Sequence, residues 1–117
     1  MVKKNENIEL INHDDFKNHT TLHLINCIIS TIDLIGVFEL KVHLIIENCI
    51  VNNFQIHSCW FVNGMVLRNS IINGYVDYQM GGHNANPIVI ERNIFTGFLN
   101  FFDCQFNDII ELKNNVF

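Results

Sequence analysis

The feature that most constrains the fold of this chain is a long-range repeat of its apolar residues. From residue 24 onwards they recur alternately five and six positions apart, except around Ile56 and in the segment 79–89, and like residues recur after two such half-units. One column, with spacings of 22, 21, 23 and 22 residues, consists of Leu24, Ile46, Leu67, Ile90 and Leu112. A second column with the same spacings consists of Ile29, Val51, Ile72, Phe95 and Phe117. A repeat of this length indicates stacked structural units.

Within each unit, apolar residues also lie two positions apart, as Leu22 and Leu24 do. Residues i and i+2 share one face of a β-strand, whereas an amphipathic helix needs apolar spacings of three and four. Because like residues recur only after about 22 positions, strands must pair between successive turns, and such connections are right-handed. The sequence predicts an all-β chain, a single-stranded right-handed parallel β-helix of about five turns over residues 22–117, with an N-terminal cap over residues 1–21.

Polar residues follow the same period. Asn26, Asn48, Asn69 and Asn114 form a column interrupted by Arg92, and Asn accepts the left-handed backbone conformation of tight turns. We expect an amide ladder at a corner of the coil. A second polar column alternates in charge, which predicts an outward ion-pair ladder of Glu47, Arg68, Glu91 and Lys113.

Short strings within the repeat resemble units of the right-handed parallel β-helix superfamily, which includes pectate-lyase-like and pentapeptide-repeat solenoids. They are IENCIV, LRNSII, IERNIF, FFDCQF and ELKNNVF. The resemblance covers about residues 22–117. The period is longer than that of a strict four-sided pentapeptide coil, which favours a pectate-lyase-like or hybrid coil. The resemblance implies an architecture but no single function, because such solenoids act as lyases, adhesins, scaffolds and inhibitors.

Composition and charge exclude several function classes. The net charge of −5 would repel a phosphate backbone, so we expect no nucleic-acid partner. No apolar stretch is long and clean enough to predict a membrane span, and the first residues do not form a signal peptide, so we expect a cytoplasmic protein. Without a secretory signal the four cysteines are interpreted as reduced and buried, namely Cys27, Cys49, Cys59 and Cys104.

The strongest functional candidate is an aliphatic column one residue before the second core column. Strand alternation directs it away from the bore, and an exposed aliphatic stripe of this size would mark an interface. Alternatively, a bend or the N-terminal segment shelters these side chains. Phe117 joins the candidate interface because the apolar pattern runs to it without a polar cap, so that either a second copy covers the last turn or a longer protein has been cut there. We expect homo-oligomers through the last turn or through Ile28, Ile50, Ile71, Ile94 and Val116.

A second candidate is the segment 79–89, where the apolar rhythm is interrupted by Gly81-Gly82-His83-Asn84-Ala85-Asn86-Pro87. Loops often carry ligand sites, although a simple turn insertion is the plainer interpretation. His83, Asn84, Asn86 and the nearby Asp77 are the candidate ligand residues, and a carbohydrate is the expected ligand class. The histidines and cysteines show no metal-ligand spacing, so no metal or cofactor is expected.

Three function hypotheses follow. The first is a non-enzymatic structural or protein-interaction module that associates with itself. The second is a carbohydrate-binding or carbohydrate-degrading fragment that uses the 79–87 segment, although the dispersed acids make catalysis the weaker part of it. The third is an acidic inhibitor that mimics nucleic acid, and the alternating charges of the predicted ladder argue against it.

Overall fold

The computed structural model describes residues 1–117, which form a parallel β-solenoid of about five turns. Its only helical segment is a three-residue 3-10 turn, His13–Asp15, and no helix is long and apolar enough to cross a membrane. The strands are β1 (Val2–Lys4), β2 (Asn7–Asn12), β3 (Thr21–Ile25), β4 (Ile28–Asp33), β5 (His43–Glu47), β6 (Ile50–Gln55), β7 (Met65–Arg68), β8 (Ile71–Ile72), β9 (Val76–Asp77), β10 (Gly82–Asn84), β11 (Ile88–Glu91), β12 (Ile94–Phe95), β13 (Leu99–Asn100), β14 (Cys104–Phe106) and β15 (Ile110–Lys113).

Two long sheets run along the coil, and every strand pair in them is parallel. The first sheet has six strands in the order β1-β3-β5-β7-β11-β15, and the second has five in the order β2-β4-β6-β8-β12. Two further pairs, β9 with β13 and β10 with β14, form the rest of the wall. The predicted vertical neighbours are confirmed, because register partners along the first sheet are Leu24, Ile46, Leu67, Ile90 and Leu112.

The corner between the two sheets uses left-handed backbone in every turn. Six residues there have φ between 51° and 58°, a conformation that Asn tolerates better than most residues. The side chains form the predicted ladder, in which Asn48 Nδ2 donates to Asn26 Oδ1 at 2.5 Å. Arg92 keeps the ladder connected by donating from Nε to Asn69 Oδ1 at 3.0 Å. The corner residues are Asn5, Asn26, Asn48, Asn69, Arg92 and Asn114.

The residue after each corner points inward and completes the hydrogen bonding of the turn before it. The Ser70 hydroxyl accepts from the backbone N–H of Cys49 at 3.0 Å, and Asn93 Oδ1 accepts from that of Ser70 at the same distance. Asn115 Oδ1 accepts in turn from the N–H of Asn93 at 3.1 Å. A buried N–H needs a partner, so the small and amide residues of this column are required by the backbone.

The bore is closed at one end and open at the other. At the N-terminal end, β1 and β2 extend the two sheets, and Phe16, only 1% exposed, closes the core. In the last turn, Leu112 is 45% exposed and Phe117 is 68% exposed. Their counterparts one turn earlier, Ile90 and Phe95, are 3% and 2% exposed. The apolar core therefore reaches the surface at the C-terminal end.

One expectation about the coil is wrong. The segment 79–89 does not interrupt it, because β10 within this segment pairs in parallel with β14, with His83 opposite Gln105. Asn84 lies where neighbouring turns place Phe61 and Phe106 in the apolar pattern. The rhythm breaks in the sequence because a buried amide replaces an apolar core residue.

Candidate functional site

The predicted aliphatic stripe lies on the outer face of the five-stranded sheet. Successive members are register partners from Ile28 to Ile94, and Val116 continues the column through a bridge to Ile94. Ile28, Ile94 and Val116 are 51%, 48% and 60% exposed, while Ile50 and Ile71 are half-buried. The side chains form a continuous apolar line at the surface, with steps of about 4.8 Å between strands.

The second aliphatic column, Ile45, Val66 and Val89, is on the outer face of the six-stranded sheet. All three side chains are half-buried. The asparagine corner and a column of charged residues separate it from the aliphatic stripe. The two columns therefore belong to different faces of the molecule.

The charged column between them forms the expected ion-pair ladder in part. Arg68 lies between two carboxylates, with Nε 3.8 Å from Glu47 Oε2 and Nη1 3.7 Å from Glu91 Oε1. Lys113 is the register partner of Glu91, but the second cation that contacts Glu91, besides Arg68, is Arg92, at 3.3 Å. The ladder thus lies on the far side of the asparagine corner from the aliphatic stripe.

Phe117 lies beside the end of the aliphatic stripe and stacks on Phe95, with ring centroids 5.0 Å apart and an interplanar angle of 9°. Other large apolar side chains in the last turns are also exposed. They are Phe98 at 79%, Phe102 at 69%, Ile109 at 59% and Leu112 at 45%. Residues 94–117 thus contribute seven of the 14 large apolar side chains that are exposed.

The four candidate ligand residues do not meet at one site. Asn84 is fully buried, and its Oδ1 accepts from the Tyr78 hydroxyl and from the backbone N–H of Phe61. Asp77 lies on another face and accepts from the backbone N–H of Gln79 at 3.1 Å. Asn86 Nδ2 donates to the carbonyl of Val62, and only His83 is both exposed and beside an aromatic group, Trp60.

Asp77 instead borders a surface groove of about 370 Å³ together with Gln55, His57 and Tyr75. The Ser58 hydroxyl is 2.8 Å from His57 Nδ1 in the wall of this groove. No group of three or more His, Cys, Asp or Glu side chains is placed to hold a metal ion.

A groove of about 200 Å³ surrounds Trp60, and sequence reasoning missed it. The Trp60 ring packs edge-to-face with Phe38 at 5.4 Å and with His83 at 5.2 Å between centroids. A signal was present in the sequence, because Phe38, Trp60, His83 and Gln105 recur at spacings of 22, 23 and 22. The residues that line the groove are Phe38, Trp60, Met80, Gly82, His83, Asp103 and Gln105.

All four cysteines are free thiols. Burial raises the pKa of Cys59 and also the pKa of Cys49 and Cys104. Burial likewise raises the pKa of the Tyr78 hydroxyl far above its usual range. The thiolate is the reactive form, so a raised pKa disfavours reaction at these three thiols.

The chain matches no protein-family model, no curated protein and no solved structure. Its function must therefore be inferred from its own surfaces. Two of them stand out, namely the aliphatic stripe with the adjoining last turn and the groove around Trp60.

Proposed function

We propose that this protein is a non-enzymatic structural or protein-interaction module that associates with a second copy of itself through the aliphatic stripe and the adjoining last turn. One observation carries the proposal. Five outward positions in register, which a solvent-facing strand would fill with polar residues, are aliphatic and partly or largely exposed: Ile28, Ile50, Ile71, Ile94 and Val116.

The surroundings of the stripe support this role. On one side lie the asparagine corner and the ion-pair ladder, and on the other lie the outward polar residues of β6, Asn52 and Asn53. An apolar centre within a polar rim is the usual composition of a protein interface. The stripe therefore has the anatomy of a contact surface.

The size of a stable interface determines how much of the surface takes part. A standard interface buries about 800 Å² on each partner. This area is larger than the area that the five aliphatic side chains of the stripe can offer. Phe98 and Phe117, which line one groove beside the end of the stripe and can each bury about 150–250 Å², add to this area, and Phe117 follows Val116 directly. The contact surface is thus continuous from the side of the coil to its end.

A two-fold arrangement places the same patch of each copy against the other. Such an interface is closed, so it gives a dimer and not a filament. Two sheets that pack face to face lie about 10 Å apart, a distance that the aliphatic side chains of both stripes would fill. The dimer would thereby bury the stripe without changing the coil.

The proposal is tested by placing a charge in the stripe. Ile71→Lys should convert the dimer into a monomer in light scattering, because the two-fold contact would bury a lysine from each copy without a counter-ion. Val66→Lys is the matched control, since Val66 belongs to the same turn, points outward and is half-buried like Ile71. It should leave the dimer intact.

Circular dichroism should show unchanged strand content in both variants. A wild-type chain that stays monomeric at high concentration would overturn the proposal. A dimer that persists in Ile71→Lys, or that is lost equally in Val66→Lys, would overturn the assignment of the stripe.

A further inference from the structure

The groove around Trp60 lies along one wall of the coil, apart from the stripe, and its floor is a column that spans several turns. Phe38, Trp60, His83 and Gln105 occupy successive turns, with His83 opposite Gln105 in the β10–β14 register. Phe38 is 61% exposed and Met80 is 53% exposed beside it. Apolar side chains are therefore available to a ligand along a line parallel to the axis.

Trp60 is held in a fixed position by the backbone. A Cβ added at Gly82 would lie 1.8, 2.0 and 2.2 Å from Nε1, Cε2 and Cδ1 of the indole. Three nearly equal distances to adjacent ring atoms mean that Gly82 packs on the face of the ring, not on its edge. The buried Nε1–H has no hydrogen-bond partner, so packing alone positions the ring.

The polar side chains of the groove are His83, Asp103 and Gln105, which follow the aromatic residues along the wall. They present a carboxylate, an amide and an imidazole, and therefore both accept and donate hydrogen bonds. No lysine or arginine lines the groove. An anionic ligand would meet the Asp103 carboxylate without a compensating cation, so the charge favours a ligand without negative groups.

From this combination we infer that the groove binds a neutral saccharide. The C–H face of a pyranose packs on aromatic and thioether side chains, while its hydroxyls bond to carboxylate, amide and imidazole groups, the mixture found in specific ligand sites. The spacing of about 4.8 Å between strands is close to the length of one sugar unit in an extended chain. Neighbouring units would thus meet neighbouring turns.

A simple organic cation is the competing ligand, because aromatic rings and a carboxylate also bind quaternary ammonium groups. A quaternary ammonium group can neither donate nor accept a hydrogen bond, so it would leave the amide of Gln105 and the imidazole of His83 without a partner in the ligand. The polar set is better matched to several hydroxyls. The groove shares no residue with the aliphatic stripe, but Asp103 and Gln105 belong to the same last turn as the end of the proposed contact surface. The oligomeric state is therefore measured in the same samples as the binding.

Trp60 is the only tryptophan of the chain, so its fluorescence reports on the groove alone. The full-length protein is titrated with cellotetraose, xylotetraose, mannotetraose, maltotetraose and tri-N-acetylchitotriose, and separately with tetragalacturonate and tetramethylammonium. At least one neutral oligosaccharide should change the emission saturably. Tetragalacturonate and tetramethylammonium should bind at least tenfold more weakly or not at all.

Asp103→Asn tests the polar contact. Asp103 has a φ of 58°, which Asn also tolerates, so the turn should be preserved while a charged acceptor is lost. Affinity for the bound neutral oligosaccharide should fall about tenfold. Asp14→Asn is the matched control, because it removes a carboxylate whose side chain is 81% exposed in the N-terminal segment, outside the groove and the stripe, and it should leave affinity unchanged.

Three results would overturn the inference. They are the absence of any emission change with all five neutral oligosaccharides, tighter binding of tetragalacturonate or tetramethylammonium than of every neutral sugar, and equal affinity of wild type and Asp103→Asn. The oligomeric state measured in the same samples separates this outcome from that of the self-association test.

Discussion

Two glycines in left-handed conformation face very different surroundings. Gly36 has a φ of 72° and nothing within 4 Å of an added Cβ, whereas Gly82 has a φ of 61° and packs on Trp60. Both positions impose the same kind of backbone penalty on any L-residue. Only at Gly82 would the added Cβ also collide with a side chain. Substituting the two glycines in turn therefore separates the cost of backbone strain from the cost of altered packing.

Gly36→Ala should lower the free energy of unfolding by about 1 kcal/mol, the cost of a left-handed alanine. Gly82→Ala should lower it by about 2–3 kcal/mol, because the methyl group also displaces the indole. Urea denaturation measures both losses, and the Trp60 emission should shift to longer wavelength only in Gly82→Ala. Equal losses with unchanged emission would contradict the described packing of Gly82.

At the scale of single residues, the sequence predicts one corner of the coil and misses another. The asparagine corner is visible because most turns use the same residue type. A second corner is equally left-handed, yet its residues share no chemistry: Gly36, Ser58, Met80 and Asp103. Buried Asn84 misled for a related reason, since a hydrogen-bonded amide in the core looks like a loop residue when its partners, such as the Tyr78 hydroxyl, are unknown.

At the scale of strands, the ladder on β5, β7 and β11 specifies register more than it adds stability. The side chains of Arg68 and Glu47 are 36% and 29% exposed, and Arg68 Nε lies 3.8 Å from Glu47 Oε2. Exposed pairs of this kind contribute about 0–1 kcal/mol. A charge reversal is more informative about register than the loss of a charge. In parallel strands the residues at equivalent positions lie directly beside one another, so a reversal places like charges in contact.

Arg68→Gln should lower the free energy of unfolding by less than about 1 kcal/mol. Arg68→Glu should cost more, because three glutamates would then follow one another across β5, β7 and β11, and like charges on adjacent strands repel. The difference between the two variants should shrink in 1 M salt, where screening is nearly complete. A difference that is absent at low salt would show that these side chains do not face one another.

The sequence locates the strands of the two long sheets but not the short pairs of the remaining wall. Alternation around Leu24 or Leu67 is strict because neighbouring positions face the bore and solvent in turn. In β9, β10, β13 and β14 each strand has only two or three residues, too few to show alternation. The groove around Trp60 lies on this wall, where its only sequence signal is the recurrence of Phe38, Trp60, His83 and Gln105 at the period of the coil.

At the scale of the whole molecule, exposure varies along the axis while the residue type in a core column stays the same. Leu67 and Leu112 occupy equivalent positions in β7 and β15, yet they are 1% and 45% exposed. In a solenoid each turn contacts only its neighbours. A leucine in a middle turn is covered by a neighbouring turn on each side, whereas a leucine in the last turn is covered on one side only.

Leu67→Ala should lower the free energy of unfolding by about 3 kcal/mol, as is usual for a buried leucine. Leu112→Ala in dilute solution should cost less than about 1 kcal/mol, because much of the side chain is already in water. If a second copy covers the last turn, the cost of Leu112→Ala should rise with protein concentration. Urea denaturation at two concentrations measures this, and equal costs in dilute solution would contradict the open end.

The column that follows the asparagine corner determines the order in which the turns of the coil can complete their hydrogen bonds. Cys49 and Ser70 each leave a backbone donor that is satisfied only by a side chain of the turn that comes later in the chain. On the ribosome, each newly emerged turn would therefore remain unfinished until its successor arrives. The coil would mature with a lag of one turn behind synthesis, and a defect at Ser70 would be felt first by the segment translated before it.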